Sequence, residues 1–518
     1  MSSHILKKIK NQRWIFYWSG NWPLLDAVYE NNLAYAKQFK KIAGTRIRAR
    51  ADFCHLNTLT VYHTQEEYER LDTFFRRKFE RNPAFLVASA RGYRPQVNAD
   101  LAALRQLHRA TRGLSQLSNQ QLAQSFLAAR RHFVFNSAID AYDWLMEKIF
   151  IPVLAQAIEA KLGARGAPHV AEYVNALITP PKKSVIFRER QMLFSIVKYI
   201  KKQALVVRAI KNKKSGAEIL QQFPQIQKKI TVYLKKFIWM PVLVNSPSST
   251  IESVWKEIVA YVLGEPLVIK AKRLGDNFDP KIIARGKSLQ RQLALSVRQK
   301  LLVRGLQQMA WLRTEDYVVM SESSYYVVPL YTEIAERLGI TYFGLKELIP
   351  GEIVNFLKSG KRVSAGQQKN LLKGNASIGL DNEYGRWIGG MAAKIKKIIL
   401  QDSNSARPRA TAGTIFHGTI GNRGRITGRV VVATTPVEAS WVTKKDILVV
   451  ASASASFVPA LRRAGGIVSE YGGVTSHPVI IAREFNRPCL VGVKDFFRLV
   501  KTGDRVELDA LAGTVKII

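Results

Sequence analysis

The sequence is short of cysteine, short of acid and free of long apolar runs, and each shortage excludes something. Two cysteines in 518 residues, Cys54 and Cys489, make neither a disulfide framework nor a four-cysteine zinc site. That fits a reducing compartment. No run approaches the roughly 18 apolar residues of a membrane helix; Phe237–Val244 is among the longest, and Pro241 interrupts it. The amino terminus, MSSHILKKIKNQRWIFYW, has a basic start but a short apolar stretch and no small-residue cleavage pattern, so no secretory signal is expected. A cytoplasmic protein with no membrane attachment is the expectation. His4, His55, His63, His108, His132, His169 and His417 are scattered without metal-ligand spacing. They read as structural histidines, and no metal site is expected.

Acid is outnumbered two to one. There are 79 Lys+Arg against 39 Asp+Glu, a net charge of +40, while 47% of residues are hydrophobic. The chain therefore buries real cores and is not disordered as a whole. Its length suggests about three domains. The charge is uneven. Residues 411–518 hold 14 basic and 8 acidic residues, a net of +6, which leaves +34 to residues 1–410. The densest stretch, Lys182–Lys236, has 15 basic and 2 acidic residues. Such an excess suits an anionic partner, whether nucleotide, nucleic acid or acidic protein, or simply a solvated helix face. No zinc-finger, KH or RRM signature decides between them.

The pattern along the chain predicts a large, mainly α-helical amino-terminal body followed by a carboxy-terminal α/β domain. Residues 1–95 mix helix and strand signals and read as a small α+β region. Pro23–Ala43 reads as helix and Asn57–His63 as strand; Thr64 with Glu67, and Ser118 with Gln121, look like capping boxes. Residues 96–400 read as a helical body, with helices over roughly 122–162, 186–211, 217–240, 250–263, 281–310 and 312–338. Residues 401–413, QDSNSARPRATAG, lack apolar periodicity and read as a linker. Residues 414–518 show short β-runs separated by glycines. Asp140, Asp143 and Glu147 share a helix face and read as a solvated or Arg/Lys-paired face rather than a cation site.

The chemistry concentrates in Gly465–Glu484, GGIVSEYGGVTSHPVIIARE, which reads as strand, glycine loop and helix. Gly472 and Gly473 permit a tight turn and close backbone approach. Pro478 suits a first helical turn, which places His477 at or just before a helix amino terminus. There the free N–H groups and the dipole favour a phosphoryl group on the imidazole. A neutral imidazole is a competent nucleophile near pH 7. Thr475 and Ser476 complete the loop, and Arg483 is a candidate supporting charge on the same helix.

This segment resembles the phosphohistidine mobile domain of the PEP-utilising enzymes, the family of phosphoenolpyruvate synthase, pyruvate phosphate dikinase and rifampicin phosphotransferase. Blocks occur in family order: Gly424–Val432, Asp446–Val450, Ala464–His477, Ile480–Glu484, Arg487–Val493 and Thr502–Val515. The resemblance implies a swivelling domain whose histidine, here His477, takes phosphate from ATP at an ATP-grasp site and delivers it to a second site. It also aligns Thr475 with a threonine phosphorylated in some dikinases. Two positions depart from the pattern: Ser454-Ala455-Ser456 stands where Thr-x-Pro is frequent, and Pro478 replaces the usual alanine. A weaker resemblance, to the helical segment before the mobile domain, covers Trp311–Asp316, Glu333–Gly339 and Tyr342–Leu348. Arg313, Glu315 and Glu322 there read chiefly as packing and salt-bridge residues.

Ahead of the helical body no ATP-grasp domain or glycine-rich phosphate loop is recognisable, and no PEP-binding barrel is expected. Two functions are expected. One is a phosphotransferase component in which ATP, with Mg, binds a separate ATP-grasp protein or an unrecognised site, and His477 passes phosphate to a small-molecule acceptor. The other is a non-catalytic binding or regulatory protein whose basic body docks RNA or another anionic macromolecule.

Overall fold

The computed structural model describes residues 3–21, 39–55, 58–163, 170–240, 248–263, 280–371, 373–381, 383–404, 410–433, 438–451, 453, 457–470, 477–493 and 495–518. The expected helix over 23–43 falls mostly outside them; its last residues, 39–43, are helical.

Strands β1 (Trp14–Asn21), β2 (Ala49–His55), β3 (Thr58–Thr64), β4 (Asn375–Leu380) and β5 (Glu383–Ile388) make one antiparallel sheet in the order β1-β3-β2-β4-β5. β4 and β5 lie inside the stretch read as helical body. They join β2 by a register that sets Ala51 opposite Ile378 and Phe53 opposite Ala376. The helix Gly390–Asn404 packs Ala392, Ile395 and Ile399 against Trp14, Phe53, Tyr62, Ala376 and Ile378 on this sheet. That helix takes in residues 401–404, the start of the expected linker. Thr64 caps the helix Gln65–Arg81 by accepting from the Glu67 N–H, 3.2 Å away.

Two long helices, Asn119–Leu162 and Val297–Leu338, form the spine of the helical body. Each opens with a complete capping box, Ser118 with Gln121 and Ser296 with Gln299. The boxes satisfy amide donors that a helix start leaves unpaired. Buried Tyr142, Met146, Phe150 and Leu154 of the first helix meet Leu302, Leu306 and Met309 of the second. The sequence break expected near residue 311 lies instead at Leu293–Ser296. Ala294 takes a positive φ of 44°, and its N–H donates to the carbonyl of Arg291 at 3.0 Å. Helices expected as single pieces over 186–211 and 217–240 each divide in two: Val185–Lys201 and Ala204–Lys211, then Gly216–Gln222 and Pro224–Phe237. Pro224 opens the last of these, where its missing N–H costs nothing.

Eight strands build the carboxy-terminal sheet. They are β6 (Ile415–His417), β7 (Thr419–Asn422), β8 (Arg425–Ala433), β9 (Asp446–Val450), β10 (Gly466–Ser469), β11 (Cys489–Val491), β12 (Arg505–Asp509) and β13 (Thr514–Ile517), in the order β6-β13-β12-β8-β9-β10-β11-β7. The inner four, β8 to β11, are mutually parallel. β9 is buried at every residue. Leu448 and Val450 face one core with Val431, Ile467 and Val491; Ile447 and Val449 face the other with Val430, Val468 and Leu490. Burial on both faces is why these strands read as unbroken apolar runs.

Candidate functional site

The parallel strands β8, β9, β10 and β11 end at Ala433, Val450, Ser469 and Val491, in register across the sheet. Ligands of α/β sheets bind beyond such carboxyl ends. The loop that leaves β10 there returns as the helix His477–Glu484, and His477 is its first residue. Pro478, the second residue, is buried. Gly472, Gly473, Thr475 and Ser476 lie outside the described residues, as do Ser454, Ala455 and Ser456 of the neighbouring β9 loop. Arg483 stands six residues along the same helix. By helical geometry that is about 9 Å along the axis and about 120° around it from His477, so the two share neither a turn nor a face.

The helix is fixed at its far end. Phe485 N–H donates to the Ile481 carbonyl at 3.0 Å, and Arg487 N–H reaches back to the Ala482 carbonyl at 2.8 Å. Asn486 between them has φ 50°. This is a Schellman-type ending with asparagine in the left-handed position that glycine usually takes. From β7, the Asn422 side-chain amide donates to the carbonyls of Ala482 (3.3 Å) and Arg487 (2.9 Å). Val479 and Ala482 are fully buried against the sheet. A Cβ on Gly421 would sit 2.7 Å from Val479 Cγ2 and 3.1 Å from Cys489 Sγ, so β7 and the helix meet at glycine distance.

Two acids inside the quoted blocks, Glu470 and Asp446, have roles that the pattern alone does not announce. Glu470 follows β10 directly; its carboxyl is buried, and its N–H donates to the Val450 carbonyl at 3.0 Å. It ties the ends of β9 and β10 together where the loop to His477 departs. The sequence signal is an acid set directly after a buried four-residue strand. Asp446 opens β9. It accepts from Arg429 Nε at 3.0 Å, from the Thr443 hydroxyl at 2.7 Å and from the Thr443 N–H at 2.9 Å. Burial alone would raise its pKa, but these donors and the Arg429 charge outweigh it and hold the carboxyl below its ordinary value. At the join between β9 and β10, a Cβ on Gly465 would lie 2.1 Å from the Lys444 carbonyl oxygen, so only glycine fits there.

In the body, Asp143 and Glu147 of the acidic face turn inward, and the side chain of Asp140 lies outside the described residues. Glu147 is buried and bonded to Arg313, and burial raises its pKa against that pairing. Asp143 is fully buried as well. Glu315 accepts the Val185 N–H at 3.1 Å and pairs with Arg94 at 3.6 Å; Glu322 accepts from Arg105 at 2.6 Å and from the Tyr326 hydroxyl at 2.7 Å. These residues hold helices together, and Asp143 and Glu147 face the core rather than solvent. Among the described residues no group of three or more His, Cys, Asp or Glu could hold a metal ion, and no helix is long and apolar enough to cross a membrane. A cavity between Arg50, His63, Tyr68 and Leu145 measures about 10 Å³, room for about one water and not for a substrate. Cys54 and Cys489 are buried and form no disulfide; the Cys54 thiol donates to Glu347 at 3.6 Å.

Comparison with known proteins singles out this same carboxy-terminal region. The family described as PEP-utilising enzyme, mobile domain, matches residues 442–513. A probable phosphoenolpyruvate synthase of Pyrococcus horikoshii is 28% identical over 183 residues, 35% of this chain and 22% of that protein. The phosphoenolpyruvate synthase of Pyrococcus furiosus is 40% identical over 104 residues, 20% of this chain and 13% of that one. Pyruvate kinase 2 of Synechocystis sp. is 37% identical over 93 residues, 18% of this chain and 16% of that one. The chain thus spans a fifth or so, or less, of the length of the curated relatives it matches.

Proposed function

We propose, from the match of residues 442–513 to the mobile domain of the PEP-utilising enzymes, that the protein is a phosphotransferase component whose phosphoryl carrier is His477. One observation supports the reading above the others: His477 is the residue that opens the helix leaving β10, at the carboxyl edge of four parallel strands. A phosphoryl group there meets unpaired helix N–H groups and the positive end of the helix dipole.

The reaction has two halves. An imidazole nitrogen uses its lone pair to attack the phosphorus in line; an N–P bond forms as the bond to the donor's leaving oxygen breaks, and that oxygen keeps the electron pair. An acceptor oxygen then attacks the same phosphorus, the N–P bond breaks, and the imidazole recovers its lone pair. The donor in this reading is ATP with Mg on a separate ATP-grasp protein, and the domain moves between donor and acceptor. The relatives' names, phosphoenolpyruvate synthase and pyruvate kinase, favour a small carboxylate acceptor over a macromolecule.

The test is direct. The full chain is incubated with ATP labelled in its terminal phosphates, alone and with lysate of the source organism. The expected result is protein-bound label that acid removes and alkali spares, and that His477→Ala abolishes. Label that persists in His477→Ala, or that never forms in either incubation, sinks the proposal.

A further inference from the structure

The helices Val185–Lys201, Ala204–Lys211, Gly216–Gln222, Pro224–Phe237 and Ile251–Leu263 enclose a core built from Ile196, Ile200, Ile230, Tyr233 and Ile258 among others, which Val318 of the long helix Val297–Leu338 joins. From residue 198 to residue 236 the sequence holds ten lysines, Arg208 and a single acid, Glu218; all eleven basic residues are exposed. The four carboxylates of residues 185–263 are engaged elsewhere. Glu189 is buried, bonded to the Tyr233 hydroxyl and paired with Arg190 at 3.3 Å. Glu218 closes the capping box on Ser215. Glu252 pairs with Lys256 at 2.7 Å, and Glu257 with Arg190. Among the described residues, none of the eleven exposed cations forms an ion pair.

Soluble surfaces intersperse the two signs of charge, because a one-sign field repels itself. A one-sign surface on a folded unit therefore points to an anionic partner. Its make-up disfavours a protein. Protein interfaces deplete lysine and anchor on Trp, Tyr and Arg, whereas ten of these eleven charges are lysines. Lysine binds phosphate as a flexible point charge, without the fixed fork that arginine brings. The main chain is fixed at two of the lysines: Lys213 takes φ 55°, and the Lys214 N–H closes the helix end on the Ala209 carbonyl at 3.1 Å. A ring completes the surface. Half-buried Tyr199 lies on the seam between two of the helices, its hydroxyl donating to Gln225 at 2.8 Å and its ring 4.6 Å from Lys229 Nζ. An aromatic face in a cationic seam can stack an unpaired base while lysines hold the adjoining phosphates.

We propose that this five-helix unit binds single-stranded RNA through its phosphodiester backbone, independently of base sequence. The full chain is titrated into a fluorescent mixed-sequence RNA of about 20 nucleotides, long enough for the site sizes such surfaces cover, at salt from about 50 to 200 mM. About five phosphate contacts on a single strand predict a slope of log K on log salt near −3.5. Lys213→Glu with Lys214→Glu should weaken binding at least about tenfold and shrink the slope by about 1.4. Tyr199→Ala should weaken binding about five- to tenfold with the slope unchanged. His477→Ala should leave binding untouched, so failure here and failure of the carrier reading are told apart. Absence of binding at low salt overturns the proposal, and so does charge reversal without effect in a variant of unchanged circular dichroism. Equal affinity for duplex DNA, polyglutamate or anionic vesicles overturns it too, as does a neutral Tyr199→Ala.

Discussion

Asn422 holds Arg487: its side-chain amide donates to the Arg487 carbonyl at 2.9 Å, and to that of Ala482 at 3.3 Å. Through this pair, β7 at the sheet edge fixes the end of the helix that His477 begins. Asn422→Ala strips both bonds and leaves carbonyls at a partly buried helix end. A loss of about 1–2 kcal/mol is expected, read by denaturant unfolding. Hydrogen exchange should quicken in residues 479–487 more than in β12 and β13. Uniform quickening across the domain would show that Asn422 acts on global stability alone.

Gly421, next to it, is a matter of distance. Gly421→Ala places a Cβ 2.7 Å from Val479 Cγ2 and 3.1 Å from Cys489 Sγ, closer than side chains pack, and overpacking of this kind costs about 1–3 kcal/mol. Val479→Ala in the same chain removes one of the clashing partners, so the double variant should lose less than the sum of the singles. Strict additivity in unfolding free energies would mean that the two residues do not meet as described.

Partly buried Arg313 and buried Glu147 form an ion pair between the two long helices. Arg313→Ala leaves an unpaired buried carboxylate, and breaking such a pair by one partner costs about 3–5 kcal/mol. Replacing both, Arg313→Met with Glu147→Leu, should recover most of that loss, since apolar substitutes for buried pairs are often neutral or better. Thermal unfolding checks both variants. A double variant as unstable as the single would mean that Glu147 has a role beyond this pair.

How much of this was legible depends on where each signal resides. The carboxy-terminal domain could be read because its strands are buried on both faces and so appear as runs such as Asp446–Val450, and because Pro478 marks a helix start beside His477. The capping box at Ser118 is local and stands as read; at Thr64 only the half in which its hydroxyl accepts from the Glu67 N–H forms, because the Glu67 carboxylate accepts from the Arg48 N–H and from Arg70 instead. Contacts distant in sequence left no mark. Nothing in the residues 375–388 says that they complete a sheet begun some 320 residues earlier, opposite β2. Nothing about Asn422 announces a helix end 60 residues on. Asp140, Asp143 and Glu147 read as a solvated face or one paired with Arg or Lys; for Glu147 the pairing holds, and nothing local names its partner, Arg313, 166 residues away.

Asp52 and His63 give the amino-terminal sheet two opposed responses to acid. Asp52 is fully buried, bonded to Arg50 Nε at 2.9 and 3.2 Å. Burial raises its pKa from 3.8 to about 6, against the pull of Arg50. His63 donates Nδ1–H to the Ala49 carbonyl at 2.9 Å. Burial, with Arg50 and Lys148 nearby, lowers its pKa from 6.5 to about 3. Between pH 6 and 4 the folded state takes up the Asp52 proton before the unfolded chain does, so this term stabilises the fold as pH falls and is lost as pH rises through about 6. In the same window the unfolded chain protonates His63 and the folded state does not, so that term is present above pH 6.5 and is lost towards about 3. Each is worth up to about 1.4 kcal/mol per pH unit, and together they nearly cancel. Removing either should expose the other. Relative to the unsubstituted protein, Asp52→Asn should lose stability on going from pH 6 to 4.5, and His63→Gln should gain it. Urea unfolding at the two pH values reads the difference, in which every other titrating group drops out. Parallel pH profiles for both variants and the parent would refute the assignment; slopes of opposite sign would place both protons in the sheet.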